Sequence, residues 1–191
     1  MSKKEIEPVY LATKQAWREW LAENHETADF IWLLYYKKHT NRPSITWSDA
    51  VDEALCFGWI DSTRKTLDEE RYIQYFCKRK AKSNWSKINK DKIAILMEAG
   101  LMSEAGLKSV EIAKANGSWT ILDSVEALIV PDDLTLALQK EPGAEDFFLS
   151  LSNSAKKMML YKLVQAKRAE TRQKRIVEIV QQLQHNRRNE R

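Results

Sequence analysis

The stretch Thr46-Trp-Ser-Asp-Ala-Val-Asp-Glu-Ala-Leu-Cys-Phe-Gly58-Trp-Ile-Asp-Ser62 predicts a helix, an abrupt stop and the start of a strand. Thr46 followed three residues later by Asp49 is typical of a helix N-terminus, and apolar residues recur at helical spacing as far as Leu55. Gly58 stands where a helix ends with a residue of positive φ, which glycine adopts without a steric cost. The chain is therefore expected to change direction at Gly58.

Strands are predicted on both sides of this helix. Residues 59–65 and 71–79 read as two strands joined by the loop Leu67-Asp-Glu-Glu70. Upstream, Asp29-Phe-Ile-Trp-Leu-Leu-Tyr-Tyr-Lys37 is a nearly continuous apolar and aromatic run, which favours a central strand buried on both faces. We expect a small, mostly antiparallel sheet of at least three strands with helices packed on one side.

The remaining elements are predicted to be helices, which makes the fold class α+β. Hydroxyl or amide side chains precede three further helical patterns in the first part of the chain and are candidate N-caps: Thr13, Asn84 or Ser86, and Ser103. Beyond Pro131 the patterns are again helical, with Ser154 as the cap of a long final segment that turns near Thr171. We expect an α+β core domain over residues 1–120 and a helical C-terminal region over residues 121–191.

Composition points to a protein of the cytoplasm. The longest unbroken apolar run, Phe30–Tyr36, is too short to cross a bilayer, so no membrane insertion is expected. Residues 1–8 lack the apolar run of a secretory signal, which predicts a cytoplasmic location. In that reducing compartment Cys56 and Cys77 are expected to remain thiols.

The net charge of +4 is unevenly distributed along the chain. From Lys156 to the end there are eleven basic and three acidic residues, and from Arg64 to Lys92 there are ten basic and four acidic residues. Two basic stretches favour an anionic partner, although solvated helix faces explain them equally well.

No strong catalytic signature is present, so the catalytic residues stay unknown and no cofactor or metal is predicted. The chain has only five glycines, too few and too scattered for a phosphate-binding loop. Its histidines, His25, His39 and His185, are far apart in sequence and lack metal-binding spacing.

The best candidate for a ligand site is the basic run Lys78–Lys87, which leads into a helix N-terminus. Cationic side chains, hydroxyls, free backbone N–H groups and an aromatic ring suit a phosphate or a nucleotide. Together with the turn at Gly58, this run predicts a cleft that holds an anionic small molecule. The candidate ligand-binding residues are Trp59, Asp61, Ser62, Arg71, Arg79, Ser83, Trp85, Ser86 and Asn89.

Two other functions remain open at this stage. One is a small-molecule enzyme in which Asp61 or Glu53 acts as the general acid or base. The other is nucleic-acid binding through the two basic stretches, the second of which carries Lys167, Arg168, Arg172, Lys174 and Arg175. The ordinary alternative for each is a structural role: a turn for Asp61 and Ser62, a core position for Trp85 and a solvated face for the C-terminal helix.

Several linked motifs resemble one known family. They are Glu53-Ala-Leu-Cys-Phe-Gly-Trp-Ile-Asp-Ser62, Asp68-Glu-Glu-Arg-Tyr72, Lys82-Ser-Asn-Trp-Ser-Lys-Ile-Asn89, Gly100-Leu-Met-Ser-Glu-Ala-Gly106 with Ala113-Lys114, and Ala166-Lys-Arg-Ala-Glu-Thr-Arg-Gln-Lys-Arg-Ile176. In this order they resemble the YdeI/OmpD-associated family, also called bacteriocin-protection proteins, along nearly the whole chain.

The resemblance implies a role in bacterial stress response. The family is linked by name to resistance against bacteriocins and cationic antimicrobial peptides and to an outer-membrane porin, and it brings no established reaction. The sequence is thus expected to encode a non-enzymatic stress-resistance module that binds an anionic ligand. It leaves the oligomeric state open.

Overall fold

The computed structural model describes residues 7–189. Within it the chain divides into two compact units, Met1–Trp119 and Thr120–Arg191. The first unit contains a sheet with helices and the second contains helices in all its described regular elements, so the expected α+β class with a helical C-terminal region is confirmed.

The sheet has four described strands in the order β1-β2-β4-β3, with bounds Val9–Tyr10 for β1, Phe30–Tyr36 for β2, Trp59–Thr66 for β3 and Arg71–Lys78 for β4. β2 pairs antiparallel with β4, β4 pairs antiparallel with β3, and β1 lies parallel to β2. The two predicted hairpin strands and the predicted central strand are confirmed. β1 was not predicted, because two residues carry no periodic pattern.

Besides the short 3-10 helix Lys38–Thr40, the described part of the first unit has four α-helices: α1 (Lys14–Asn24), α2 (Trp47–Cys56), α3 (Lys87–Glu98) and α4 (Glu104–Ala115). In each, a predicted hydroxyl side chain accepts a hydrogen bond from the first turn, which satisfies a backbone N–H that has no partner within the helix. The caps are Thr13, Thr46, Ser86 and Ser103. Gly58 has a φ of +71°, as expected of a helix stop.

The two faces of the sheet differ. One face, here called the helix face, contributes Leu33, Tyr35, Trp59 and Phe76 to a core shared with Trp17 of α1 and with the apolar sides of the other helices. The opposite side, here called the open face, carries Tyr10, Phe30, Trp32, Tyr36 and Tyr75. Phe30 is 52% exposed, and Trp32 and Tyr36 are half-buried. The prediction that this strand is buried on both faces therefore holds on the open face only at Leu34, and is wrong at Phe30, Trp32 and Tyr36.

The edge strand β3 contains a bulge. Its register against β4 shifts between Asp61, which pairs with Phe76, and Arg64, which pairs with Gln74. An extra residue in one strand increases the local twist and re-aims the side chains that follow. As a result Asp61 and Arg64 both lie opposite helix-face residues of β4.

The second unit has its own apolar core. Its helices are α5 (Asp123–Glu126), α6 (Asp132–Gln139), α7 (Ala144–Ser150), α8 (Asn153–Val164) and α9 (Ala169–Asn189). Leu134, Phe148, Leu163 and Leu183 are among the residues buried between them. The cap of α8 is Ser152 and not Ser154. The break before the last helix precedes Ala169, so the turn predicted near Thr171 lies a few residues earlier.

Over residues 7–189, every helix is too short or too polar to pass through a lipid bilayer.

Candidate anion-binding site

The Gly58 turn forms one wall of a cavity of about 380 Å³, here called the Gly58 cavity. A second wall comes from the segment after β4, Lys78–Ala81, and a third from one side of α4. Its apolar lining residues include Phe57, Trp59 and Ile112.

Two glycines set the position of α4 against the end of α2. A Cβ on Gly106 would lie 2.1 Å from the carbonyl oxygen of Cys56, which no side chain can tolerate. A Cβ on Gly58 would lie 3.0 Å from the carbonyl oxygen of Ala105, in addition to the strain of its positive φ. Ser103 stabilises the same close contact between α2 and α4, since its Oγ donates to the Cys56 carbonyl oxygen at 2.7 Å. The cavity is thus held by close backbone contacts.

The Gly58 cavity is positively charged. Four cationic side chains line it, Lys78, Arg79, Lys80 and Lys108, against one carboxylate, Glu26. That carboxylate is 83% exposed, and one of its oxygens lies 3.9 Å from Nε2 of the His25 ring. Lys78 donates to the backbone carbonyl of Glu26 at 2.7 Å. Over the described residues, Arg79, Lys80 and Lys108 form no ion pair with a carboxylate.

Arg79 is the cation with the most constrained surroundings. Its guanidinium carbon lies 3.7 Å from the centre of the Trp85 ring, and one of its terminal nitrogens donates to the Asn84 carbonyl at 2.9 Å. Its Nε is buried without a hydrogen-bond partner. Burial lowers the pKa of Arg79 to about 10, an effect that the negative charge of Asp61 partly opposes. The side chain still carries its charge at neutral pH.

The predicted residues around Trp85 serve the start of α3. Trp85 is buried and packs against Trp119 at 5.0 Å between ring centres. Ser86 caps the helix by accepting from the backbone N–H of Asn89 at 3.3 Å, and the backbone N–H of Ser83 donates to the Lys80 carbonyl. Trp85 therefore reaches the Gly58 cavity only through Arg79.

Three predicted residues lie on or beside the hairpin. Asp61 accepts from the indole N–H of Trp47 at 2.9 Å and from the side-chain amide of Gln74 at 3.0 Å. The backbone carbonyl of Ser62 accepts from the same amide at 3.3 Å. Arg71 pairs with Asp68 at 2.7 Å beside the hairpin loop. The structure thus brings Trp59 and Arg79 into one cavity, sets Trp85 against Arg79 and places the other six candidates elsewhere.

Sequence reasoning missed the residues that α4 supplies, Lys108, Ser109 and Ile112. Their closeness to Gly58 depends on a contact between segments about fifty positions apart. The available signal was Gly106, because a glycine inside a helical pattern often marks a close approach of another backbone.

Glu53, the other carboxylate considered for acid–base chemistry, is a buried ion-pair partner. Its side chain is 2% exposed and lies 2.6 Å from Arg18 and 3.4 Å from Lys14. Burial raises the pKa of the adjacent Cys56 thiol, so this cysteine is protonated at neutral pH and is a poor nucleophile.

Two arginines of the C-terminal basic stretch form hydrogen bonds within the second unit. Arg172 donates to Asp133 at 2.8 Å, and this hydrogen bond lowers the pKa of the Asp133 carboxyl. Arg175 donates to the Lys162 carbonyl. Two of the five cations considered for phosphate contact therefore have internal acceptors.

Two family models match the chain. One is described as a domain of unknown function, DUF8412, and covers residues 9–109, just over half of the chain. The other is described as Bacteriocin-protection, YdeI or OmpD-Associated and covers residues 127–186. No curated protein and no solved structure matches the chain.

These matches confirm the resemblance but change its extent. Of the motifs that carried it, only Ala166–Ile176 lies in the YdeI or OmpD-associated match. The four between Glu53 and Gly106 lie in the other model, and Ala113-Lys114 lies in neither. The chain belongs to the family described as domain of unknown function DUF8412, and its second unit carries a match to the Bacteriocin-protection, YdeI or OmpD-Associated family.

Proposed function

We propose that the protein is a non-enzymatic binding protein that holds a small anionic ligand in the Gly58 cavity. The observation that carries this proposal is Arg79, a largely buried cation at the cavity wall with no carboxylate partner among the described residues.

A buried charge that forms no direct ion pair costs free energy, which the more distant Asp61 offsets only in part, and an anion in the cavity would offset more of it. The Trp85 ring and the Asn84 carbonyl hold the guanidinium in place and neutralise little of its charge. Arg79 is therefore preorganised to pair with a carboxylate or a phosphate, groups that match the planar guanidinium.

The volume and the lining residues of the Gly58 cavity restrict the class of ligand that it can bind. The volume of about 380 Å³ lies in the lower part of the range for small-molecule sites. Lys80 and Lys108 add exposed positive charge, while Phe57, Trp59 and Ile112 supply apolar lining. A small phosphorylated or carboxylated metabolite with an apolar body fits this combination better than a bare inorganic ion.

The description of the family matched by the second unit supports a role for this ligand binding in protection against bacteriocins. Direct capture of a cationic peptide at the Gly58 cavity is disfavoured, because its four cations would repel the peptide. The protective role proposed here is therefore indirect, through sensing or sequestering an anionic metabolite. Two free thiols, Cys56 and Cys77, fit a reducing compartment, and we place this activity in the cytoplasm.

The test is a thermal-shift and calorimetry series with inorganic phosphate, AMP and citrate as probes. At ten times its dissociation constant, a bound anion is expected to raise the melting temperature by about 3–6 °C. Lys108→Ala and Lys80→Ala should reduce the shift without lowering the melting temperature of the free protein, because both side chains are exposed. Arg79→Ala should abolish it.

Lys114→Ala is the matched control, since Lys114 is exposed on the same helix as Lys108 and does not line the cavity. The proposal fails if no probe shifts the melting temperature of the wild type, or if Lys114→Ala weakens the shift as much as Lys108→Ala. The protective role fails separately if cells carrying Arg79→Ala survive bacteriocin challenge as well as the wild type.

A further inference from the structure

The open face of the sheet carries two groups of aromatic rings, separated along β2 by the buried pair Leu34 and Ile73. Phe30 stacks on Tyr75 with ring centres 5.3 Å apart and planes 22° apart, and Tyr75 meets Trp32 edge to face at 5.1 Å. Further along, Tyr36 meets Tyr10 edge to face at 5.2 Å. Three of the four strands thus contribute rings to one surface.

These rings remain accessible to a partner. Phe30 is 52% exposed and Tyr10 is 42% exposed, fractions that are high for aromatic side chains. Trp32 and Tyr75 are half-buried, and the Trp32 indole N–H has no acceptor among the described residues. Residues two apart in a strand lie about 6.6 Å apart, so Phe30 and Trp32 present successive rings along one line.

The charges beside these rings are mainly positive. The Lys65 ammonium lies 4.6 Å from the centre of the Trp32 ring, and the Arg42 guanidinium lies 4.9 Å from that of Tyr36. Lys65 pairs in register with Ile73, so its aliphatic stem crosses β4 to reach Trp32. Both cations are exposed, so each can contact a phosphate group of a bound partner.

One carboxylate, Asp29, precedes Phe30 at the end of the open face. Burial raises the pKa of the Tyr75 hydroxyl, and the charges of Cys77 and Asp29 raise it further, so Asp29 lies within electrostatic reach of this ring. A negative charge at this end would oppose an anionic partner.

We propose that the open face binds single-stranded nucleic acid, with bases stacked on Phe30, Tyr75 and Trp32 and phosphates held by Lys65 and Arg42. Sheets that display aromatic rings bind single-stranded RNA in this way, and base stacking on aromatic rings tolerates any sequence. The accessible rings of Phe30 and Tyr75, with Lys65 over the neighbouring Trp32 ring and Arg42 over the Tyr36 ring, match the alternation of base and phosphate. The proposal uses no residue of the Gly58 cavity and stands independently of it.

The experiment measures fluorescence anisotropy of labelled twelve-nucleotide probes, one of deoxythymidine and one of uridine, with a duplex of equal length for comparison. Phe30→Ala and Tyr75→Ala are each expected to weaken single-strand binding about 5-fold to 100-fold. Lys65→Ala should weaken it and lower the slope of log affinity against log salt by about 0.7. Asp29→Asn should strengthen it. The two probes show whether DNA or RNA is preferred.

Two controls isolate the open face. Lys114→Ala removes a lysine that lies 5.5 Å from the Trp119 ring and is the match for Lys65→Ala. Ile88→Ala removes a 65% exposed apolar side chain from α3 and is the match for Phe30→Ala. Neither should change the affinity, and circular dichroism checks that every variant is folded.

The proposal is overturned if neither single strand binds, or if the duplex binds as tightly as the single strands, which would indicate the basic stretches instead. It is also overturned if Phe30→Ala and Lys65→Ala leave the affinity unchanged. A dimer in analytical ultracentrifugation that Phe30→Ala dissociates, with no oligonucleotide bound, would assign the open face to a protein contact.

Discussion

The helix face and the open face of the same sheet both carry aromatic side chains, but the burial and the contacts of these side chains differ between the two faces. On the helix face, Trp59 is buried and its indole N–H donates to the His25 carbonyl at 3.3 Å. On the open face, the Trp32 ring is capped by an ammonium group instead of a helix. The comparison shows that rings in this sheet are buried where helices cover them and stay partly exposed where no helix does.

The largest effect is expected from a core ring of α1 that packs against Phe76 on the helix face. Trp17→Ala removes a fully buried side chain and the hydrogen bond from its indole N–H to the Ala50 carbonyl, at 3.0 Å. The loss of burial and the resulting cavity should lower the free energy of unfolding by about 3–5 kcal/mol, measured by urea denaturation. A loss below about 1 kcal/mol would show that the helix face is not the stabilising side.

A smaller effect is expected from the one buried amide on the helix face. Gln74→Leu keeps the volume but removes the donor to Asp61 and to the Ser62 carbonyl, leaving a partly buried carboxylate with Trp47 alone. We expect a loss of about 1–2 kcal/mol in the same measurement. Asp61→Asn, which keeps an acceptor, should cost less; the reverse order would contradict the hydrogen-bond explanation.

The smallest effect is expected on the open face. Phe30→Ala shortens a side chain that is already 52% exposed, so the free energy of unfolding should fall by less than about 1 kcal/mol. If this variant is destabilised as much as Trp17→Ala, the two faces are equivalent in energy and the comparison is wrong.

Local signals predicted most of the elements of the first unit. The hydroxyl caps at Thr13, Thr46, Ser86 and Ser103 and the stop at Gly58 depend on chemistry within a few residues, which the sequence displays directly. The same is true of the antiparallel hairpin after Gly58. Arg79, the centre of the candidate site, was also found, because it lies in the same basic run as Trp85.

What could not be predicted depends on contacts distant in sequence. The run from Phe30 to Tyr36 is apolar at every position, so no alternation shows which face the helices cover. Likewise α4 supplies Lys108 to the Gly58 cavity only because Gly106 admits the Cys56 carbonyl. Ser152 and Ser154 are equally good caps by type, and packing in the second unit decides between them.

The two edges of the sheet have a consequence for solubility. An exposed sheet edge can pair with an edge of another molecule and start aggregation, and an aromatic surface beside it would increase that tendency. Here one edge, β1, is only two residues long. The other, β3, is interrupted by the shift between Asp61 and Arg64 and carries cations at Arg64 and Lys65. The bulge in β3 therefore also disfavours the addition of a strand from another molecule. As a result, the protein can expose aromatic rings on its sheet without offering an edge on which a fibril could grow.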